Sequence, residues 1–290
     1  MRRLFLVVAA LAVMLVPASS ASATLTGPWV RFNKCPAANT AVDLCVYAET
    51  TSGSFTVGNK AVPIVNPVII KGGTHIVNPE EILGAQEFYA PTDGQTLSKS
   101  AQPVPGGLLG VTAPTWWPSI LRDLFNETIN NGFTGVQATV ELAGPASSVK
   151  LNPGNLLTAS GVALGMPVKV KLSNPFLGSN CYIGSNSNPI KLNLTSGTTA
   201  PPLPNKPISG SPGEFEGLEE FQIIVQKNNK LVDNSFAAPG ANGCGGFLFS
   251  WAVDPFVDSI LGTPSAAGTN TAILAGSSYL GGAEYVRTHQ

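Results

Sequence analysis

Histidine is nearly absent from this sequence, and the motifs that usually accompany catalysis are missing with it. Only His75 and His289 occur among 290 residues, so a serine or cysteine hydrolase would depend on His75. Two histidines cannot fill a three-histidine zinc site, and the sequence contains no H-E-x-x-H, no G-x-S-x-G and no phosphate-binding loop. We therefore expect no metal site and no cofactor, and we interpret His75 as a structural residue at a strand edge.

Charge is scarce as well. Charged residues make up 11% of the chain, whereas a typical soluble protein has roughly 25%. The formal net charge of −1 provides no electrostatic attraction to nucleic acid or to an anionic membrane. We expect no nucleic-acid partner, and a surface wetted mainly by Asn, Ser, Thr and Gly, as is common in extracellular β-proteins.

The longest apolar run lies at the start of the chain and predicts export. Arg2 and Arg3 precede the apolar residues 4–16, and the Ala-Ser-Ala sequence at 21–23 suits a signal peptidase. At about 1.5 Å per helical residue the run spans about 20 Å, less than the roughly 30 Å of a hydrocarbon core. The arginine pair leaves both the general secretory route and the twin-arginine route open.

We therefore expect residues 1–23 to be a cleaved signal peptide. The remaining residues, 24–290, are long enough to bury a full core and are predicted to form a single extracellular domain. No second apolar segment indicates a transmembrane anchor. The localisation that follows is secreted or associated with the cell surface.

All four cysteines lie beyond this leader, at positions 35, 45, 181 and 244. An even number of cysteines in an oxidising compartment predicts two disulfides, for which three pairings exist. Short separations are the easiest to close, so we favour Cys35–Cys45 and Cys181–Cys244. No two cysteines have the spacing of a zinc knuckle.

Alternating apolar and polar residues predict a mainly β protein. Such alternation, or a short buried apolar run, occurs in several segments separated by turn residues. These segments are 42–46, 62–70 (with a bend or an edge at its two prolines), 136–142, 168–172, 190–194, 221–225 and 246–251. The fold class expected is an antiparallel β-sandwich or a barrel-like sheet, with one or two short helices packed against it and disulfides within it.

Helix is predicted mainly in two places, with a third, single turn at 78–81. Residues 118–130 form an amphipathic pattern, and residues 254–261 begin with a possible Asp254 cap and are followed by Gly262. Residues 195–213 are rich in Pro, Ser, Thr and Gly and predict an extended, solvated loop. If Cys181 pairs with Cys244, this loop lies inside one covalently closed unit.

Two groups of side chains are the candidates for ligand binding or chemistry. Trp116 and Trp117 are adjacent, and exposed tryptophans stack on sugar rings, although such a pair also commonly holds a helix against a sheet. Paired carboxylates are what most glycosidases require, and calcium also binds through oxygen. The carboxylates concerned are Glu214, Glu216, Glu219, Glu220, Asp254 and Asp258.

Four segments resemble recurring parts of a family of actinobacterial secreted proteins without a known activity. They are F-N-K-C-P (32–36), C-Y-I-G (181–184), P-I-K-L-N-L-T-S-G-T-T (189–199) and T-P-S-A-A-G-T-N-T-A-I-L (263–274). The resemblance implies export and a cell-envelope setting. It transfers no catalytic residue to this chain.

Together these observations predict a secreted, non-catalytic structural or binding protein of the envelope or the extracellular space. A cell-wall polysaccharide or another envelope component is the expected partner. The alternative is a carbohydrate-active enzyme that uses two of the carboxylates, with Trp116 and Trp117 as sugar platforms.

Overall fold

The computed structural model describes residues 25–110, 112–130 and 134–289. The predicted signal peptide, residues 1–23, lies outside them. The described part is mainly antiparallel β-structure, as predicted, and all of its named strands belong to one sheet. The fourteen strands are β1 (Leu44–Val57), β2 (Lys60–Pro63), β3 (Val68–Ile76), β4 (Gln86–Tyr89), β5 (Ala101–Pro103), β6 (Gln137–Leu142), β7 (Lys150–Leu151), β8 (Leu164–Ser173), β9 (Tyr182–Ile183), β10 (Ile190–Leu194), β11 (Glu214–Leu218), β12 (Ile223–Asp233), β13 (Ala241–Asn242) and β14 (Thr271–Gly282).

Eight of these strands form a closed, barrel-like ring. Around the ring the order is β12, β14, β1, β3, β4, β7, β8 and β10, with antiparallel pairing at each step. The ring closes just after β10, where Thr195 and Val232 exchange two backbone hydrogen bonds of 3.0 and 2.8 Å. Closure of this kind removes the exposed edges that an open sheet would present.

Alternation along the strands produces one core inside the ring and another outside it. In β1, Val46 belongs to the inner core, whereas Cys45 and Tyr47 on either side of it face the outer core. The outer core is covered by the 3₁₀ helix Gly27–Phe32 and by α4 (Ala283–His289). Successive side chains of a strand point to opposite faces, so β1 can serve both cores.

The other helices are α1 (Ser119–Asn130), α2 (Pro153–Thr158) and α3 (Gly246–Leu261). The prediction of a buried strand at 246–251 is wrong: these are the first six of the sixteen residues of α3, and their four large apolar side chains are exposed. An apolar run of this length has no periodicity that separates a strand from a helix. Gly262 ends α3 in the left-handed conformation, as predicted, but Asp254 lies inside the helix and does not cap it.

The amphipathic helix predicted at 118–130 is present as α1, but its apolar side is not packed against the sheet. Ile120, Leu121 and Leu124 are all exposed. The predicted bend within 62–70 is confirmed, because residues 64–67 separate β2 from β3.

Both favoured disulfides, Cys35–Cys45 and Cys181–Cys244, are formed. The first lies in the outer core and the second in the inner core. The loop at 195–213 lies inside the unit closed by the second bridge, but it is less solvated than expected. Ser196 and Thr199 are buried in it, because this segment also provides the backbone contacts that close the ring.

Candidate functional site

The inner core is incompletely filled and contains an apolar cavity of about 110 Å³. Because side chains alternate along a strand, every second residue of a wall strand faces the cavity. Met166, Val168 and Val170 do so from β8, and Phe55 and Val57 do so from β1. Protein interiors usually contain few voids larger than a water molecule. An apolar void of this size is therefore an unusual feature of this core.

The few polar side chains in the cavity wall are largely satisfied by the protein. The Gln102 amide oxygen accepts hydrogen bonds from the backbone N–H groups of Val65 and Asn66, both at 2.9 Å. The Lys60 ammonium donates to the backbone oxygen of Gly110 at 2.7 Å. These groups therefore leave the cavity with little capacity to hold water, and it favours apolar guests.

A second cavity of about 70 Å³ lies further along the ring. It shares Thr50, Ile70 and Leu274 with the first, so the two voids follow one another inside the sheet. Leu280 and Leu156 also line it. The pair offers an elongated apolar space.

Helix α3 packs over one end of this space. Val253, Val257 and Leu261 are four residues apart, so they share one helical face, and all three pack in the inner core. Leu261 also lines the larger cavity. This helix therefore separates the cavity from the exterior at that end.

Outside this inner stripe, the surface of α3 is exposed and apolar over roughly half of the helix circumference. We call Phe247, Leu248, Phe249, Trp251 and Phe256 the outer apolar face of α3; Phe247 is 97% exposed and Trp251 is 79% exposed. Sequence reasoning missed most of this face because it assigned 246–251 to a buried strand.

Asp254 and Asp258 bind the neighbouring backbone and do not form an open pair. Asp254 accepts hydrogen bonds from the N–H groups of Cys244 at 2.7 Å and Gly243 at 3.2 Å. Asp258 accepts from the Ala241 N–H and the Thr263 hydroxyl, both at 2.6 Å. These carboxylates hold α3 to the adjoining loops.

The glutamates predicted as candidates lie on the β11–β12 hairpin. Glu214, Glu219 and Glu220 are exposed, and Glu216 forms an ion pair with Lys227 on the partner strand. This arrangement is that of a solvated flank of the hairpin. Use of two carboxylates in glycoside cleavage stays a prediction without a supporting contact.

Trp116 and Trp117 differ in their surroundings. Trp116 is 80% exposed, whereas Trp117 is partly covered and packs edge-on against Phe125, with ring centroids 5.6 Å apart. Only Trp116 presents most of its ring to solvent. Sugar stacking by this pair stays a prediction.

His75 is half-buried in β3, where its Nδ1 lies 2.8 Å from the Asp43 carboxylate. The same Asp43 oxygen accepts the Ile76 backbone N–H at 2.8 Å, so the contact fastens β3 to the residue before β1. This geometry agrees with a structural role for His75.

One buried carboxylate has a perturbed acidity. Burial raises the pKa of Asp233, and hydrogen bonds from the backbone N–H groups of Asn193 (2.7 Å) and Ser235 (2.9 Å) oppose the rise. The side chain joins the end of β12 to β10. Its contacts are those of a structural carboxylate.

Within the described ranges, no cluster of three His, Cys, Asp or Glu residues is arranged to hold a metal ion. None of the helices there combines the length and apolarity that crossing a bilayer requires. Comparison with known proteins finds no matching family model, curated protein or solved structure.

Proposed function

We propose that this chain is a non-catalytic binding protein of an extracytoplasmic compartment, and that it holds a small apolar molecule, or the end of an alkyl chain, inside its closed sheet. The observation that carries the proposal is the cavity of about 110 Å³ with apolar walls. Export and envelope location remain part of the proposal, supported by the two disulfides.

An empty cavity of this kind is costly to the fold. At about 24 cal/mol per Å³, a void near 110 Å³ corresponds to roughly 2.6 kcal/mol of lost packing. Apolar cavities of similar size stay dry and accept guests such as benzene. An apolar guest would restore the missing contacts with Met166 and its neighbours.

The size of the space limits the guest. Complete ligand pockets usually have about 300–1,000 Å³, which is larger than either cavity here. A small ring fits the first cavity, and a short chain fits the first and second together.

The hydrogen bonds of Asp254 and Asp258 to backbone groups support binding without catalysis.

Methyl resonances of methionine provide a direct test. The chain contains three methionines, Met1, Met14 and Met166, and only Met166 lies in the described part, where it lines the cavity. With [¹³C-methyl]methionine labelling, Met166→Leu identifies its signal. We expect toluene, added as a probe, to shift the Met166 signal in a saturable manner.

Variants that fill the cavity supply the controls. Ala138→Leu and Val140→Leu place carbon atoms in the larger cavity, so either should abolish the toluene shift. Ala61→Leu makes an Ala-to-Leu change on β2 at an exposed position and should leave the shift intact. An unshifted Met166 signal in saturating toluene, or an undiminished shift in both filled variants, contradicts the proposal.

A further inference from the structure

The outer apolar face of α3 is too large to be treated as scattered surface residues. Isolated exposed apolar side chains are normal on soluble proteins, but contiguous apolar patches usually mark a binding surface. Here, five large apolar side chains are exposed on a single helix, and Phe247 has almost no cover from the protein. The face therefore requires an occupant.

The charge distribution of α3 indicates what kind of occupant this is. Its two charged residues, Asp254 and Asp258, are bound to the adjoining loops, so its exposed residues are all uncharged. The exposed side of α1, by contrast, includes Asp123 and Glu127. Protein interfaces have a polar rim with about one hydrogen bond per 100–200 Å², and this face offers almost no donors or acceptors for one.

The helix is also held so that the face cannot turn inward. Cys244, two residues before α3, is bonded to Cys181, and at the other end the Leu261 carbonyl accepts the Asn59 N–H at 2.6 Å. Val257 is buried on the inner side. Rotating the outer face toward the core would therefore expose side chains that are now packed.

We propose that the outer apolar face of α3 docks onto the surface of an uncharged lipid bilayer. Phe, Leu and Trp are the side chains that enter the boundary between headgroups and acyl chains, and Trp is enriched there. Insertion of this face needs no electrostatic attraction, in agreement with its lack of charge. The docking concerns the outside of α3 and does not depend on a guest in the cavity.

Flotation with phosphatidylcholine vesicles tests the docking. The wild-type protein should float with the vesicles, and binding should persist in about 1 M salt, where the Debye length is only about 3 Å. Phe247→Ser and Trp251→Ser should each reduce the partition coefficient about tenfold or more, because each removes a large inserted side chain.

Phe221→Ser is the matched control. Phe221 is also an exposed aromatic residue, but it precedes β12 at the end where Ile223 pairs with Gly281. The C-terminal end of α3 lies by the β1–β2 turn, and this turn is next to the start of β14, whereas Gly281 is at the end of β14. This control should float like the wild type, and an unchanged Met166 signal verifies that each variant is folded.

Quenching by brominated phosphatidylcholine locates the contact. In a background with Trp116→Phe and Trp117→Phe, the remaining tryptophans are the exposed Trp251 and the buried Trp29. Bromine should quench Trp251 fluorescence and leave that of Trp29 nearly unchanged.

Three results would overturn the proposal. The first is a wild-type protein that does not float, and the second is equal flotation of the Phe247, Trp251 and Phe221 variants. The third is a dimer, detected by light scattering, that the Phe247 and Trp251 variants dissociate while vesicles have no effect, because a second copy would then be the occupant. Cavity-filling by Ala138→Leu should leave flotation unchanged, so failure of the guest-binding proposal is distinguishable.

Discussion

The 3₁₀ helix Gly27–Phe32 and α4 lie against the outside of the sheet, and α3 lies across one end of it; both regions are rich in aromatic residues. In the first region these side chains find cover within the chain, since Trp29 stacks on Tyr285 with ring centroids 4.0 Å apart and Phe32 is 1% exposed. In the second region Phe247 and Trp251 extend into solvent. The same residue types therefore stabilise the fold in one place and remain available for binding in the other.

The largest expected effect comes from exchanging one phenylalanine in each region for alanine. Phe32→Ala removes a fully buried ring and should lower the free energy of unfolding by about 3–5 kcal/mol. Phe247→Ala should change it by no more than about 0.5 kcal/mol, because the ring makes few contacts. Urea denaturation of the oxidised protein measures both, and equal losses would end the distinction between the two regions.

The two disulfides, one in each region, provide a second comparison with a smaller expected difference in unfolding free energy. Cys35–Cys45 closes a separation of 10 residues in the outer core, and Cys181–Cys244 closes one of 63 residues beside α3. Loop-closure entropy predicts losses of about 2.7 and about 4.3 kcal/mol, respectively, when each pair is replaced by serine. The same denaturation experiment measures them, and a greater loss for the shorter loop would mean that the outer core depends on its bridge for packing.

The smallest expected effect concerns pH. The pKa of Asp233 is raised in the folded state, so the unfolded chain releases this proton first as the pH rises. The contribution of Asp233 to stability should therefore fall as the pH rises from the unfolded value, near 3.8, through the folded value.

Asp233→Asn isolates this contribution, because it removes the titrating group. The difference in unfolding free energy between wild type and variant should shift in favour of the variant as the pH increases across that window. A difference that stays constant, or that shifts toward the wild type, would show that burial does not control this carboxylate.

The strands that could be predicted are those with one face in a core. In β10, Ile190, Leu192 and Leu194 are buried and the two residues between them are exposed, so alternation defined the strand to the residue. The first six residues of α3 had no such signal, because the large apolar residues at 247–249 follow one another without alternation. The sequence separation of the cysteines favoured the bridges that the structure contains.

The candidate site was beyond sequence reasoning for a different reason. The cavity exists because side chains from β1, β8 and β14 fall short of one another across the ring, and such a shortfall depends on three-dimensional register. Closure of the ring likewise depends on Thr195 meeting Val232. No local sequence pattern at Thr195 or Val232 indicates that their backbones pair. Asp254 and Asp258 looked like a possible pair because the sequence does not show which backbone amides their carboxylates contact.

The pairing of β1 with β14 has a consequence for the order in which this chain can assemble. Leu44 lies opposite Gly282, so neighbours in the ring are separated by most of the polypeptide. On that side, β1 has no partner until β14 has been synthesised. Non-local contacts of this kind slow folding, since a long stretch of chain must be gathered before its ends can join. The interior can therefore be sealed from water only after almost the whole chain has been made.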